Sequence, residues 1–80
     1  MSSVDDRTGR ARVRDAALEL FAERGEDAVT MRQIAERAEV SPALVVHHFG
    51  SKAGLREAVV EHVRAWMDEL FDLSTDTDLA

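Results

Sequence analysis

The run Ala38-Glu39-Val40-Ser41-Pro42-Ala43-Leu44-Val45-Val46-His47-His48-Phe49-Gly50-Ser51-Lys52 admits very few local structures. It reads as the end of one helix, a tight turn, a second helix barely two turns long, and the start of a third. Ser41 is a helix N-cap, and Pro42 takes the first helical position, where its missing N–H costs nothing. Gly50 ends the short helix after His47 or His48, and Ser51 caps the next one. A helix of two turns buries too little to be stable alone. Its retention implies that its side chains are presented to something else.

The flanking segments supply the rest of a small helical domain. A first helix is predicted from about Arg7–Arg10 to Arg24, with Asp5 or Asp6 as its cap. Its buried stripe is Val13, Ala16, Ala17, Leu20 and Phe21, spaced by three and four. Gly25 follows as a left-handed helix end. Thr30 and Gln33 have capping-box spacing, which starts a helix from Met31 to Ala38 that buries Ile34, Ala35 and Ala38. A long helix is expected from Lys52 to about Leu73. The chain thus divides into a disordered leader (1–6), a helical head (7–51), a long last helix (52–73) and a frayed tail (74–80).

Eighty residues hold one small core. Cysteine is absent, so disulfides and thiolate metal sites are excluded. No apolar run reaches membrane-spanning length and the N-terminus is polar and acidic, so a cytoplasmic protein without a membrane partner is expected. The net charge of −6 is unevenly spread. Residues 1–52 carry eight basic and nine acidic side chains, whereas residues 53–80 carry two basic and seven acidic. Screening cuts off charges more than about 8 Å away at physiological salt, so the acidic C-terminal part does not forbid a polyanion elsewhere.

Two short helices crossing over a tight turn need small or apolar residues at fixed places. Ala35 permits the close approach; Ile34, Ala38, Val40 and Val45 form the shared interior, and Phe49 closes the corner. This is the pattern of a helix-turn-helix at about residues 30–49, a unit that usually reads DNA. Glu39 stands at the turn position where positive φ is expected, at a cost of about 1–3 kcal/mol for a non-glycine residue.

Taken together, Ala17-Leu18-Glu19-Leu20-Phe21-Ala22-Glu23-Arg24-Gly25, Thr30, Ile34-Ala35, Val40-Ser41, His48-Phe49, Ser51-Lys52 and Leu55 resemble the DNA-binding domain of TetR-type transcriptional repressors. The resemblance covers roughly residues 12–60. It implies an all-α, homeodomain-like fold: a three-helix head joined by a long fourth helix to an effector-binding, dimerising domain that this chain does not include. It further implies a homodimer on a palindromic operator in double-stranded DNA, released by a small-molecule effector. The family often has a phosphate-touching tyrosine where this chain has Val46, a contact left to His47 or His48. Glycine is usual in the family at the positions of Glu39 and Ala43.

The expected DNA-contacting set is Thr30, Arg32, Ser41, Pro42, Ala43, Leu44, Val46, His47, His48, Ser51 and Lys52. Thr30 and Arg32 open the second helix, whose amides and dipole suit a phosphate. The third helix is poor in bidentate hydrogen-bonding groups. Reading is therefore expected through thymine methyls (Ala43, Leu44) and duplex shape. Ser51 and Lys52 anchor the fourth helix on the backbone. Arg7, Arg10, Arg12 and Arg14 form either an arm along the phosphates or a solvated helix face.

No catalytic, metal or cofactor chemistry is expected. His47 and His48 diverge by about 100° on a helix and do not converge on one ion, and no nucleophile–base pair or phosphate loop is visible. Along the fourth helix, Leu55, Val59, Val63, Trp66 and Leu70 form one stripe, and Val60, Met67 and Phe71 another. The distal turns outrun the head, leaving Trp66, Met67, Leu70, Phe71 and Leu73 as exposed apolar surface. That implies a further domain, a partner chain or a shortened chain. It also supports a competing function, a helical protein-interaction module.

Overall fold

A computed structural model describes residues 5–79, with side chains described for residues 8–72. Four helices follow one another: α1 (Asp5–Arg24), α2 (Met31–Ala38), α3 (Pro42–Phe49) and α4 (Lys52–Leu79), with one 3₁₀ turn at Glu26–Ala28 after α1. No strand occurs among the described residues, and the fold is all-α as expected.

The ends of the chain depart from expectation. Asp5 and Asp6 belong to α1 rather than to a leader, as suits acidic residues in a first turn. The remainder of that leader, residues 1–4, lies outside the described residues, as does Ala80. Helix α4 continues through Ser74–Asp78 to Leu79, where a frayed tail was expected. Neither Pro nor Gly interrupts that run, and a nucleated helix adds one hydrogen bond for each residue fixed. Gly25 has the expected positive φ of 87°, but its ψ of 146° is extended rather than left-handed helical.

The core gathers one face from each helix: Val13, Ala16, Ala17 and Leu20 of α1, Ile34, Ala35 and Ala38 of α2, Val45 of α3, and Leu55 and Val59 of α4. The alanines let α1 and α2 lie close. Sealing a side chain such as Ile34 or Leu55 contributes about 1.5–3 kcal/mol each. Phe21, Val40 and Phe49 are half-buried at its margin. Val29 is sealed as well, although it lies between helices where no helical spacing marks it. It immediately precedes the Thr30 cap, and Ile34 stands at the fourth helical position. That is the spacing of a hydrophobic staple, which fixes the angle at which the chain enters α2.

Two corners orient α3. At the end of α2, the Glu39 amide donates to Glu36 O (3.1 Å) and the Val40 amide to Ala35 O (3.0 Å), with Glu39 at φ 62° and ψ 43°. This is a Schellman ending whose left-handed position is held by glutamate instead of glycine. At the other corner, a Cβ placed on Gly54 would collide with the carbonyl oxygen of Phe49. Only a residue without a side chain lets α4 start so close beneath α3.

Beyond Val63 the helix leaves the head. α4 has 28 residues, about 42 Å at about 1.5 Å per residue. Trp66 and Leu70, placed by spacing on the packed stripe, are 57% and 45% exposed, with Trp66 bordering one cavity with Leu18 of α1 at the edge of the head. Met67 and Phe71 are exposed as expected, while the side chain of Leu73 lies outside the described residues.

The two corners respond oppositely to substitution. Glu39→Gly is expected to stabilise the chain by about 1 kcal/mol by relieving the left-handed strain. Gly54→Ala is expected to destabilise it by about 1–3 kcal/mol through overpacking, outweighing the gain of about 1 kcal/mol that alanine brings in an open helix. Urea unfolding midpoints check both; a stabilised Gly54→Ala would show that the corner is looser than described.

Candidate nucleic-acid interface

The surface is assembled from three helix starts. Thr30 closes a full capping box: its Oγ1 accepts from the Gln33 amide (3.1 Å), and its own amide donates to Gln33 Oε1 (3.0 Å). Ser41 Oγ accepts from the Leu44 amide (3.1 Å) and Ser51 Oγ from the Gly54 amide (3.2 Å). A hydroxyl that accepts from a backbone N–H still has its own O–H to donate. Each capping residue can therefore hold its helix and bind a phosphate oxygen at once. The next amides in α2 and α4 have no intrahelical acceptor, and the helix dipoles add positive potential there.

Lys52 ties two of these starts together. Its Nζ donates to Val29 O at 2.8 Å in a part-buried setting. Val29 and Lys52 each adjoin a capping residue, so the beginnings of α2 and α4 lie side by side. The ammonium was expected on a phosphate; its first partner is this carbonyl, which an amine with three donors can hold while offering the other two outward.

On α3, only Val45 is fully buried. Pro42, Ala43, Val46 and His47 are exposed, with Val46 at 51%. Leu44 and His48 differ from the expected groove-facing set. Both are half-buried, turned towards α1, where a Cβ on Gly9 would lie 3.5 Å from Leu44 Cδ2 and 3.8 Å from His48 Nε2. The geometry thus brings Thr30, Arg32, Ser41, Pro42, Ala43, Val46, His47 and Ser51 to the exposed surface, with Lys52 at its seam and Leu44 and His48 behind it.

Arg10, Arg12 and Arg14 of α1 are engaged within the protein rather than forming a free arm. Arg10 donates to His48 O (3.2 Å) and lies over the Phe49 ring at 4.5 Å. Arg12 pairs with Glu39 at 3.2 Å and Arg14 with Asp15 at 3.3 Å. The side chain of Arg7 lies outside the described residues. Farther off, Arg37 pairs with Glu19 and Glu23, and Arg56 with Glu26. Hydrogen bonding to Glu23 first, and then to Glu19, raises the pKa of Arg37 further, so it stays charged throughout the working range. Its position on the α1–α2 ridge makes it a structural cation. Apart from Arg14 with its neighbour Asp15, these pairings join residues distant in sequence, which spacing alone could not reveal.

Fold and surface together define a helix-turn-helix DNA-binding domain. The sequence pattern of the bacterial regulatory proteins of the tetR family matches residues 13–59, and the chain belongs to that family. It is 53% identical over 64 residues to the HTH-type transcriptional regulatory protein RaaS of Mycobacterium tuberculosis, covering 75% of this chain and 30% of that protein. The HTH-type transcriptional repressor Rv3405c of the same species is 40% identical over 76 residues, covering 90% of this chain and 40% of the relative. BetI of Burkholderia thailandensis, an HTH-type transcriptional regulator, is 43% identical over 54 residues, covering 68% and 28%. The chain spans well under half the length of these relatives. No solved structure matches it. The family is one of DNA-binding transcription regulators, not enzymes.

The Lys52 tie has a measurable consequence. Lys52→Met keeps most of the packing but leaves the Val29 carbonyl without its charged donor. It is expected to lower the unfolding free energy by about 1–2 kcal/mol. Urea denaturation checks this, and an unchanged midpoint would make Lys52 a surface cation only.

Proposed function

We propose that this chain is the operator-reading head of a cytoplasmic repressor. It binds a palindromic duplex as a homodimer and lets go when a small effector changes the spacing of the two heads. The effector-binding and dimerising domain would lie outside this chain. The observation that carries the reading is the outward face of α3: Pro42, Ala43, Val46 and His47 stand exposed beside the capped starts of α2 and α4. The repressor named among the relatives favours repression, and family membership favours the dimer and the effector. Among the described residues, no helix is long and apolar enough to cross a membrane.

The chemistry of the reading face is specific. Ala43 and Val46 offer methyl groups to thymine methyls, and His47 offers a ring nitrogen to a base edge or phosphate. The rest of the discrimination falls to duplex shape. Two heads on one operator would sit about 34–36 Å apart, one helical turn between half-sites.

A second reading is favoured by the exposed Trp66, Met67 and Leu70 of α4, which suit a protein-interaction module. Selection from randomised duplexes separates the two. The operator reading predicts enrichment of a site with two related half-sites. Val46→Ala is then expected to change the preferred bases more than the overall affinity, and Arg32→Ala to lower the salt slope by about 1. A pool that stays random would defeat the operator reading.

A further inference from the structure

Arg10 is the residue whose placement in the fold is least explained by phosphate binding. It lies in the first turns of α1, where a basic run suggests an arm along DNA. Its guanidinium instead does two things at the far end of the recognition helix. Nη1 donates to the carbonyl of His48 at 3.2 Å, and Cζ lies over the Phe49 ring, 4.5 Å from its centroid. The last carbonyls of a helix have no intrahelical donor, and the negative end of the dipole lies there, so a cation at that place supplies both the missing donor and the matching charge.

We propose that Arg10 is a positioning residue for operator reading: it braces the C-terminal end of α3 against α1 and so fixes the tilt at which the outward face meets the groove. This rests on the operator reading above. Three further observations support it. First, α3 is eight residues long with only Val45 sealed beneath it and Phe49 half-buried at the core margin, so little of its own apolar surface fixes its tilt. Second, Gly9, the neighbour of Arg10, is buried where α1 meets Leu44 and His48, so the backbone beside Arg10 already lies against α3. The Nε2 of His48 is buried there with no hydrogen-bond partner among the described residues, so the His48 side chain does not itself tie α3 to α1 by a hydrogen bond from that atom. Third, the turn before α3 is held from the same helix, Arg12 pairing with Glu39 at 3.2 Å. That pair is largely solvent-exposed and secures only the entry to α3. At the exit, where Gly54 brings α4 against Phe49, Arg10 adds the tie to α1.

The distinction from a phosphate contact is experimental. A planar guanidinium can stack and donate together, and an ammonium cannot reproduce both. Arg10→Ala and Arg10→Lys are made in the full chain, with two readouts. Amide hydrogen exchange of the free protein reports whether the end of α3 is held. Competition between the selected operator and random duplex, at several salt concentrations, reports discrimination and salt slope. The brace predicts faster exchange at His48–Gly50 in both variants, with α2 unchanged. It also predicts a loss of discrimination of about 5-fold, an unaltered salt slope, and no rescue by lysine. Unchanged exchange, or a slope reduced by about 1 and restored by lysine, overturns it. A wild-type chain that prefers no duplex over another overturns the operator reading; the exchange measurement then still decides whether Arg10 holds α3.

Discussion

The direction of α3 is decided at Glu39, whose left-handed backbone lets the chain leave α2 and re-enter a helix within three residues. The Val40 amide reaches back to Ala35 O and the Glu39 amide to Glu36 O, so the turn satisfies the carbonyls that α2 would otherwise leave open. Ser41 then starts α3 at once by capping the Leu44 amide. With both ends of the turn hydrogen-bonded, α3 has no freedom to continue α2 as a single rod. Val45 is drawn into the same core as Ile34, and the other side of α3 is turned outward. The exposed face is therefore a consequence of backbone satisfaction first and of side-chain packing second.

Much of this was legible in the sequence because it is local. The Thr30–Gln33 capping box, Ser41 before Pro42, the positive φ at Glu39 and the Ile34, Ala35 and Ala38 stripe all follow from spacing within one or two turns. What could not be read was long-range. Lys52 reaching Val29, Arg10 reaching His48, and Arg12 reaching Glu39 join residues separated by 23, 38 and 27 positions. The half-buried state of Leu44 and His48 belongs to the same class, since it depends on how closely α1 approaches α3 through Gly9. The course of α4 past Leu73 was misjudged for a different reason: polar composition suggested fraying, whereas the absence of Pro and Gly let the helix propagate.

These pairings change how an acidic chain can bind a polyanion. The arginine run is compatible with a phosphate arm or a solvated helix face, and Arg10, Arg12 and Arg14 of α1 are all engaged within the protein. The positive character that remains near α3 comes from helix starts, from cap hydroxyls with a donor to spare, from Arg32, and from the remaining donors of Lys52. Such groups act at short range and in fixed directions. They favour a duplex docked in one register over loose coating of DNA, which suits a reader of net charge −6. The same logic separates the two exposed regions of the molecule. The α3 face is small, capped and partly polar; the distal α4 face, with Trp66 and Met67 each 57% exposed, is apolar and offers a phosphate backbone little.

The most direct test of this account is a hydrogen-exchange footprint of the chain with and without its selected duplex. The account predicts slowed exchange at the starts of α2, α3 and α4 and along Ala43–His47, with the amides around Trp66–Leu70 unaffected. Protection confined to distal α4, with α3 exchanging as in the free protein, would contradict it.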